Sequence, residues 1–247
     1  MSDARPDGAA DPPASVDADA AARGALYALV ARGMTDPDPE LYDALASGAL
    51  DDECRRLLDR TTLQIAPPDL TTDEDRETVS ARFNDLFVVG HAADGDGANG
   101  TVDADGPAVS LYESRYRSDA SWNDVNLDLA RAYDYFGLAV DEERREHHDH
   151  LRLELEFAGY LCRREAAVDA DGAASGASRP PAEHPADGAA RARLDFLDRH
   201  LVVLADGVAD ALAAEPGTGV FGELTDFCRR LVEADANDLA DRLEGDR

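Results

Sequence analysis

The sequence predicts an all-α fold, a single helical bundle interrupted by two acidic, glycine-rich inserts. Three observations carry that expectation. Apolar residues recur at spacings of three and four in segment after segment, the period of a helix face rather than of a strand. Helix punctuation stands at Asp38-Pro39-Glu40, Thr71-Thr72-Asp73-Glu74-Asp75 and Gly137, where side-chain caps, a proline at the first helical position and a closing glycine all have physical causes. The longest candidate helix has no β-branched residue between positions 146 and 167, which removes the side chains that favour strands.

Residues 1–17 are rich in Asp, Pro, Ala and Gly and offer nothing to bury, so a disordered tail is expected ahead of a domain spanning 18–244. Periodicity begins with Ala25, Leu26, Leu29 and Val30. Asp38 caps a second helix carrying Leu41, Tyr42 and Leu45. A third, lined by Leu50, Cys54, Leu57, Leu58 and Leu63, is expected to run until Pro67-Pro68 stops it. The fourth holds Val79, Phe83, Leu86 and Phe87. An insert of Gly, Asp and Ala follows over about 90–107, then Leu111 to Tyr116 and a helix from Trp122 to Phe136 closed by Gly137. Asp141-Glu142-Glu143 starts the next helix, expected to reach Ala167. After a second insert over 169–188, helices at 189–214 and 220–243 complete the bundle.

The formal net charge is −29, and all 24 basic residues other than histidine are arginine. Acid runs along the whole chain. Such a surface suits an extreme halophile, because molar salt shortens the Debye length to about 3 Å and screens self-repulsion. It argues against nucleic acid, since the arginines are interleaved with carboxylates, as in Asp51-Asp52-Glu53-Cys54-Arg55-Arg56. Cys54, Cys162 and Cys228 are odd in number and far apart, which favours a reducing compartment over a disulfide framework. No secretory signal and no membrane-length apolar run is present, so the expected location is the cytoplasm.

The stretch Glu146-His147-His148-Asp149-His150-Leu151 is the most informative. Placed on a helix at about 100° per residue, positions 146–164 give two apolar stripes. One holds Leu151, Leu155, Ala158 and Cys162, the other Leu153, Phe157, Tyr160 and Leu161. A polar face remains at Arg152, Glu156, Gly159 and Arg163, and Glu154 projects into apolar territory. On that wheel His147, His150 and Glu154 stand at i, i+3, i+7. Three uses compete for the line: capping and solvated groups at a helix start, a metal site lacking matching ligands on a facing helix, and the lip of a peptide-binding groove.

The run from Glu146 to Leu151, followed by Glu154-Leu155-Glu156-Phe157, resembles the E-P-x-D-H-L…E-L-E-F-M run of the TorD/DmsD/NarJ family of redox-enzyme maturation chaperones. Phe83-Asn84-Asp85-Leu86-Phe87 resembles that family's Y-x-x-L-F segment. Tyr112-Glu113-Ser114-Arg115-Tyr116 resembles its P-Y-E-S-x-Y turn, and Phe196 with His200-Leu201 its later F-x-x-x-H-L helix. The likeness covers about residues 20–232 in family order.

The resemblance implies an all-helical chaperone, with no cofactor of its own. It would bind the twin-arginine signal peptide, or the apoprotein, of a molybdopterin oxidoreductase catalytic subunit until the cofactor is inserted. It would act as a monomer or homodimer. Such a peptide offers guanidinium groups, which carboxylates meet well, and then an apolar stretch that needs a groove. Asp149, Glu113 and Glu154 are candidates for the first need; Tyr112, Tyr116, Trp122 and Leu151 for the second. By resemblance Asp149 and His150 are a functional pair, and Tyr112, Glu113 and Ser114 a second patch. Core packing is the competing use of Tyr112 and Trp122, and helix capping that of Ser114. His147 and Leu111 stand where the family pattern often has proline, which leaves the helix free to extend back toward Asp141.

Enzyme readings fare worse. Gly95-Asp96-Gly97-Ala98-Asn99-Gly100 matches G-x-G-x-x-G in form, but Pro107 comes before any helix and its aspartate would repel a pyrophosphate. Absence of lysine excludes a Walker A loop, a Schiff base and a lysine base. In Asp94 to Asp105, Ala98 takes a ligand position and Asn99 the invariant glycine of a calcium loop. The competing function from another class is a helical metalloprotein using His147, His150 and Glu154.

Overall fold

A computed structural model describes residues 17–89, 106–140, 147–175 and 185–245. The tail over 1–16, most of the first insert, the helix start at Asp141-Glu142-Glu143 and positions 176–184 of the second insert lie outside the described residues. Among the described residues there is no strand, and an isolated antiparallel bridge joins Tyr112 to His150. Among the same residues no helix is long and apolar enough to cross a membrane.

Helices α1 (Ala18–Gly33), α2 (Pro39–Ala46), α3 (Ala49–Leu58) and α4 (Arg76–Phe87) come first. A one-turn 3-10 helix at Glu113–Arg115 precedes α5 (Trp122–Tyr135) and α6 (Leu151–Ser175). Then follow α7 (Pro185–Phe196), a π-helical stretch at Leu197–Leu201, α8 (Val202–Ala213) and α9 (Val220–Gly245).

The starts are where side chains satisfy the open N–H groups of a first turn. Asp17 accepts from the amides of Asp19 and Ala20 at 2.9 and 3.2 Å, Asp38 from Leu41 at 2.9 Å, and Asp75 from Thr78 at 2.8 Å. Ser121 and Asp124 cap α5 reciprocally. Each such cap stabilises its helix by about 1 kcal/mol.

Three boundaries differ from expectation. The third helix ends at Leu58 rather than at the prolines, and Leu63 is buried from the segment that follows. Helix α6 continues to Ser175 and α7 begins at Pro185, so both ends of the second insert, expected over 169–188, are helical. The helix expected over 189–214 is interrupted by the π turn at 197–201, which widens the backbone spiral and shifts the inward-facing register by a residue. His200 is buried there while Arg199 stays exposed.

Helix α6 is central, and its longest seam is with α1. Gly24 and Gly159 meet at that crossing: a Cβ on either would lie 3.0 Å from the other's carbonyl oxygen, a tight contact that glycine avoids. Gly159 and Arg152, expected on a polar face, are therefore buried. Phe83 and Phe87 of α4 pack on Phe221 of α9 with ring centroids 5.6 and 5.7 Å apart.

A buried charge network crosses the core. Asp235 of α9 accepts from Arg23 and Tyr27 of α1, both at 2.8 Å. Arg193 of α7 lies 3.4 Å from Asp235 and 3.2 Å from Glu165 of α6, and donates to Cys162 Sγ at 2.6 Å. All three cysteines are free and buried, and burial pushes each thiol up to about 12.

Candidate functional site

The candidate site forms where the segment before the 3-10 turn meets the start of α6. Leu151 N donates to Leu111 O at 2.8 Å and Glu113 N donates to Asp149 O at 2.9 Å, closing a short backbone clip around the Tyr112–His150 bridge. The clip takes up the Leu151 amide and the Asp149 carbonyl, both of which a longer helix would need, so α6 begins at Leu151. The expected start at 146 is therefore corrected for residues 147–150; Glu146 lies outside the described residues. His150 takes over part of the capping: its Nδ1 accepts from Arg152 N at 3.2 Å, and its carbonyl accepts from Leu153 and Glu154 at 2.9 and 3.1 Å.

Beneath the clip lie three carboxyl groups, those of Glu113, Asp149 and Glu154, each 0% exposed. Asp149 Oδ2 accepts from Ser114 N at 3.2 Å, and its other oxygen has no partner. Glu113 accepts from Arg117 Nε at 2.7 Å through Oε1, and its Oε2 lies 2.9 Å from His200 Nδ1. His200 Nε2 is 3.2 Å from Asp128, which also pairs with Arg199. Glu154 meets no donor from any other group. Burial, reinforced by the charges of Glu113 and Asp149, raises its pKa well above the usual carboxylate range. A fully buried carboxyl group with no donor and two acidic neighbours is favoured in its neutral, protonated form.

Aromatic rings surround the mouth. Tyr112 stands edge-on to His150 at 5.0 Å and 6.1 Å from His147, which meets Trp122 at 5.1 Å. Trp122 is 49% exposed, and Tyr112 and His150 are half-buried. Alongside runs a groove of about 480 Å³ lined by Met34, Phe83, Phe87, Leu111, Tyr112 and His150 among others. Tyr116 holds the turn from behind: its hydroxyl donates to Ser110 O at 2.7 Å and its ring lies against Gly207 of α8.

The structure thus brings Tyr112, Glu113, Ser114, Asp149, His150 and Leu151 together across the clip. Trp122 joins them at the rim, Tyr116 and Leu151 serve as packing, and Glu113, Asp149 and Glu154 are covered rather than presented. The line of His147, His150 and Glu154 does not form, because both histidines precede the helix. Among the described residues no group of three or more His, Cys, Asp or Glu could hold a metal ion, and the metalloprotein reading has no support. Arg117, Asp128 and the placement of His200 were missed. The i, i+4 spacing of Glu113 and Arg117 was a usable signal; the π turn that brings in His200 had none.

A helical bundle with an open groove beside an aromatic-edged clip fits one class in particular, that of helical assembly chaperones. Residues 47–203 match the nitrate reductase delta subunit family, and the chain belongs to that family. It is 28% identical over 221 residues to the perchlorate reductase assembly chaperone protein of Dechloromonas aromatica (strain RCB), covering 88% of this chain and 90% of the relative. To the chlorate reductase assembly chaperone protein of Ideonella dechloratans it is 30% identical over 172 residues, 70% of this chain and 76% of the relative. To the selenate reductase assembly chaperone protein of Thauera selenatis it is 40% identical over 93 residues, 38% and 42% of the two. The chain is accordingly an assembly chaperone by family.

Proposed function

We propose that this protein is the dedicated cytoplasmic chaperone of one molybdopterin oxidoreductase, binding the twin-arginine signal peptide of the catalytic-subunit precursor until cofactor insertion is complete. Kinship with chaperones named for perchlorate, chlorate and selenate reductases favours an oxyanion reductase as the partner. The observation that carries the reading is the juxtaposition of the groove with the clip: an apolar trough walled by Phe83, Phe87 and Leu111 opens directly onto Tyr112 and His150. An apolar segment entering it gains the burial of its side chains at about 25 cal/mol per Å². The rings at the mouth favour the guanidinium groups that precede such a segment, through stacking and cation–π contact.

Trp122 is the single tryptophan of the chain and sits on the rim, so it reports on the mouth alone. Titration with a synthetic peptide bearing two adjacent arginines ahead of an apolar stretch is expected to shift its emission in a saturable way. His150→Ala removes the ring that meets Tyr112 edge-on and is expected to weaken binding by roughly fivefold to tenfold, about 1 kcal/mol. A native chain that shows no saturable response, or a variant whose curve coincides with the native one, would sink the proposal.

A further inference from the structure

The peptide-binding reading leaves open which carboxylate meets the arginine. Glu113, Asp149 and Glu154 are fully covered, and two of them already serve the clip: Asp149 holds Ser114 N, and Glu113 holds Arg117 and His200. A guanidinium could reach them only by dismantling the backbone bonds that shape the mouth. We propose that Asp36, in the loop between α1 and α2, is the residue that reads an arginine of the bound peptide.

Three features support the assignment, which rests on the proposed function. Asp36 is exposed and is the single carboxylate among the residues lining the groove, sharing it with Phe83, Phe87, Tyr112 and His150. The other charged residue in the lining, Arg152, donates to Glu156 at 2.9 Å. Asp36 is also oriented. Its Oδ1 accepts from Ser80 Oγ of α4 at 2.5 Å, and the loop beside it is pinned by Arg32, which donates to Thr35 Oγ1 at 3.0 Å and to Asp38 at 2.5 Å. Its Oδ2 has no hydrogen-bond or ion-pair partner among the described residues. A carboxylate fixed by one oxygen and open at the other is pre-organised for one N–H of a guanidinium. An apolar peptide lying over it would lower the local dielectric and strengthen the pair beyond that of a freely exposed one.

The test compares two synthetic peptides, one with the arginine pair and one with glutamines in its place, against the native chain, Asp36→Asn and Asp36→Glu. The native chain is expected to prefer the arginine peptide by roughly tenfold, the scale of one charge-assisted hydrogen bond. Asp36→Asn should abolish that preference while binding the glutamine peptide as the native chain does, and Asp36→Glu should restore most of it. A preference that survives in Asp36→Asn overturns this inference alone. A native chain that binds neither peptide overturns the peptide-binding reading, and the inference with it.

Discussion

At the scale of single residues, Glu154 is the group that burial treats most harshly. It is fully buried, as are Glu113 and Asp149, and its pKa is raised by burial first and by those neighbours second. The native state therefore holds a proton that the unfolded chain releases near the usual carboxylate value of about 4.3. Stability linked to this group is complete below the unfolded value and falls as pH rises through the folded one. Glu154→Gln keeps the shape, supplies a donor to Glu113 and removes the titration. It is expected to flatten that decline and to add roughly 1 kcal/mol of stability at mildly alkaline pH, the net contribution of one buried hydrogen bond; urea unfolding across a pH series measures both. An unchanged pH slope would remove Glu154 as its cause. The wheel made the burial of Glu154 legible, since it stands between two apolar stripes. The company it keeps was not, because Glu113 arrives from a segment 41 residues earlier through a backbone bridge that no spacing encodes.

Among elements, the decisive junction is the clip, with α8 as its backstop. A Cβ at Gly207 would lie 2.3 Å from Tyr116 Cγ, closer than any packed contact allows, so the ring has to move. Gly207→Ala is expected to cost about 1–3 kcal/mol in urea unfolding, the range of overpacked cores. Because Tyr116 also ties down Ser110, the variant should exchange the Glu113 and Leu151 amides faster, which hydrogen exchange resolves. Native exchange rates at these amides would mean that Tyr116 does not hold the clip. Most helix starts were readable because Asp38, Asp75 and the Trp122 turn carry their caps in the local sequence. The start of α6 was not, since the bonds that stop it at Leu151 come from Leu111 and Glu113, and composition alone favoured a longer helix.

For the whole molecule, the all-α class was legible from periodicity, but the polar interior was not. Arg23 and Arg193 look like any two of 24 arginines until α1, α7 and α9 bring them onto Asp235. Asp235→Ala would leave two buried guanidinium groups short of a counter-charge. It is expected to destabilise the fold by about 3–5 kcal/mol in urea at fixed ionic strength, far more than loss of an exposed pair; a loss below 1 kcal/mol, the exposed-pair scale, would show the network to be dispensable. The glycine crossing of α1 and α6 then has a mechanical meaning. Two backbones this close, along the longest seam of the bundle, resist sliding past each other, so α6 is the better-anchored wall of the mouth. On the proposed peptide-binding reading, any widening of the mouth falls to the facing Pro107 to Tyr116 segment, whose Tyr116 ring lies against Gly207.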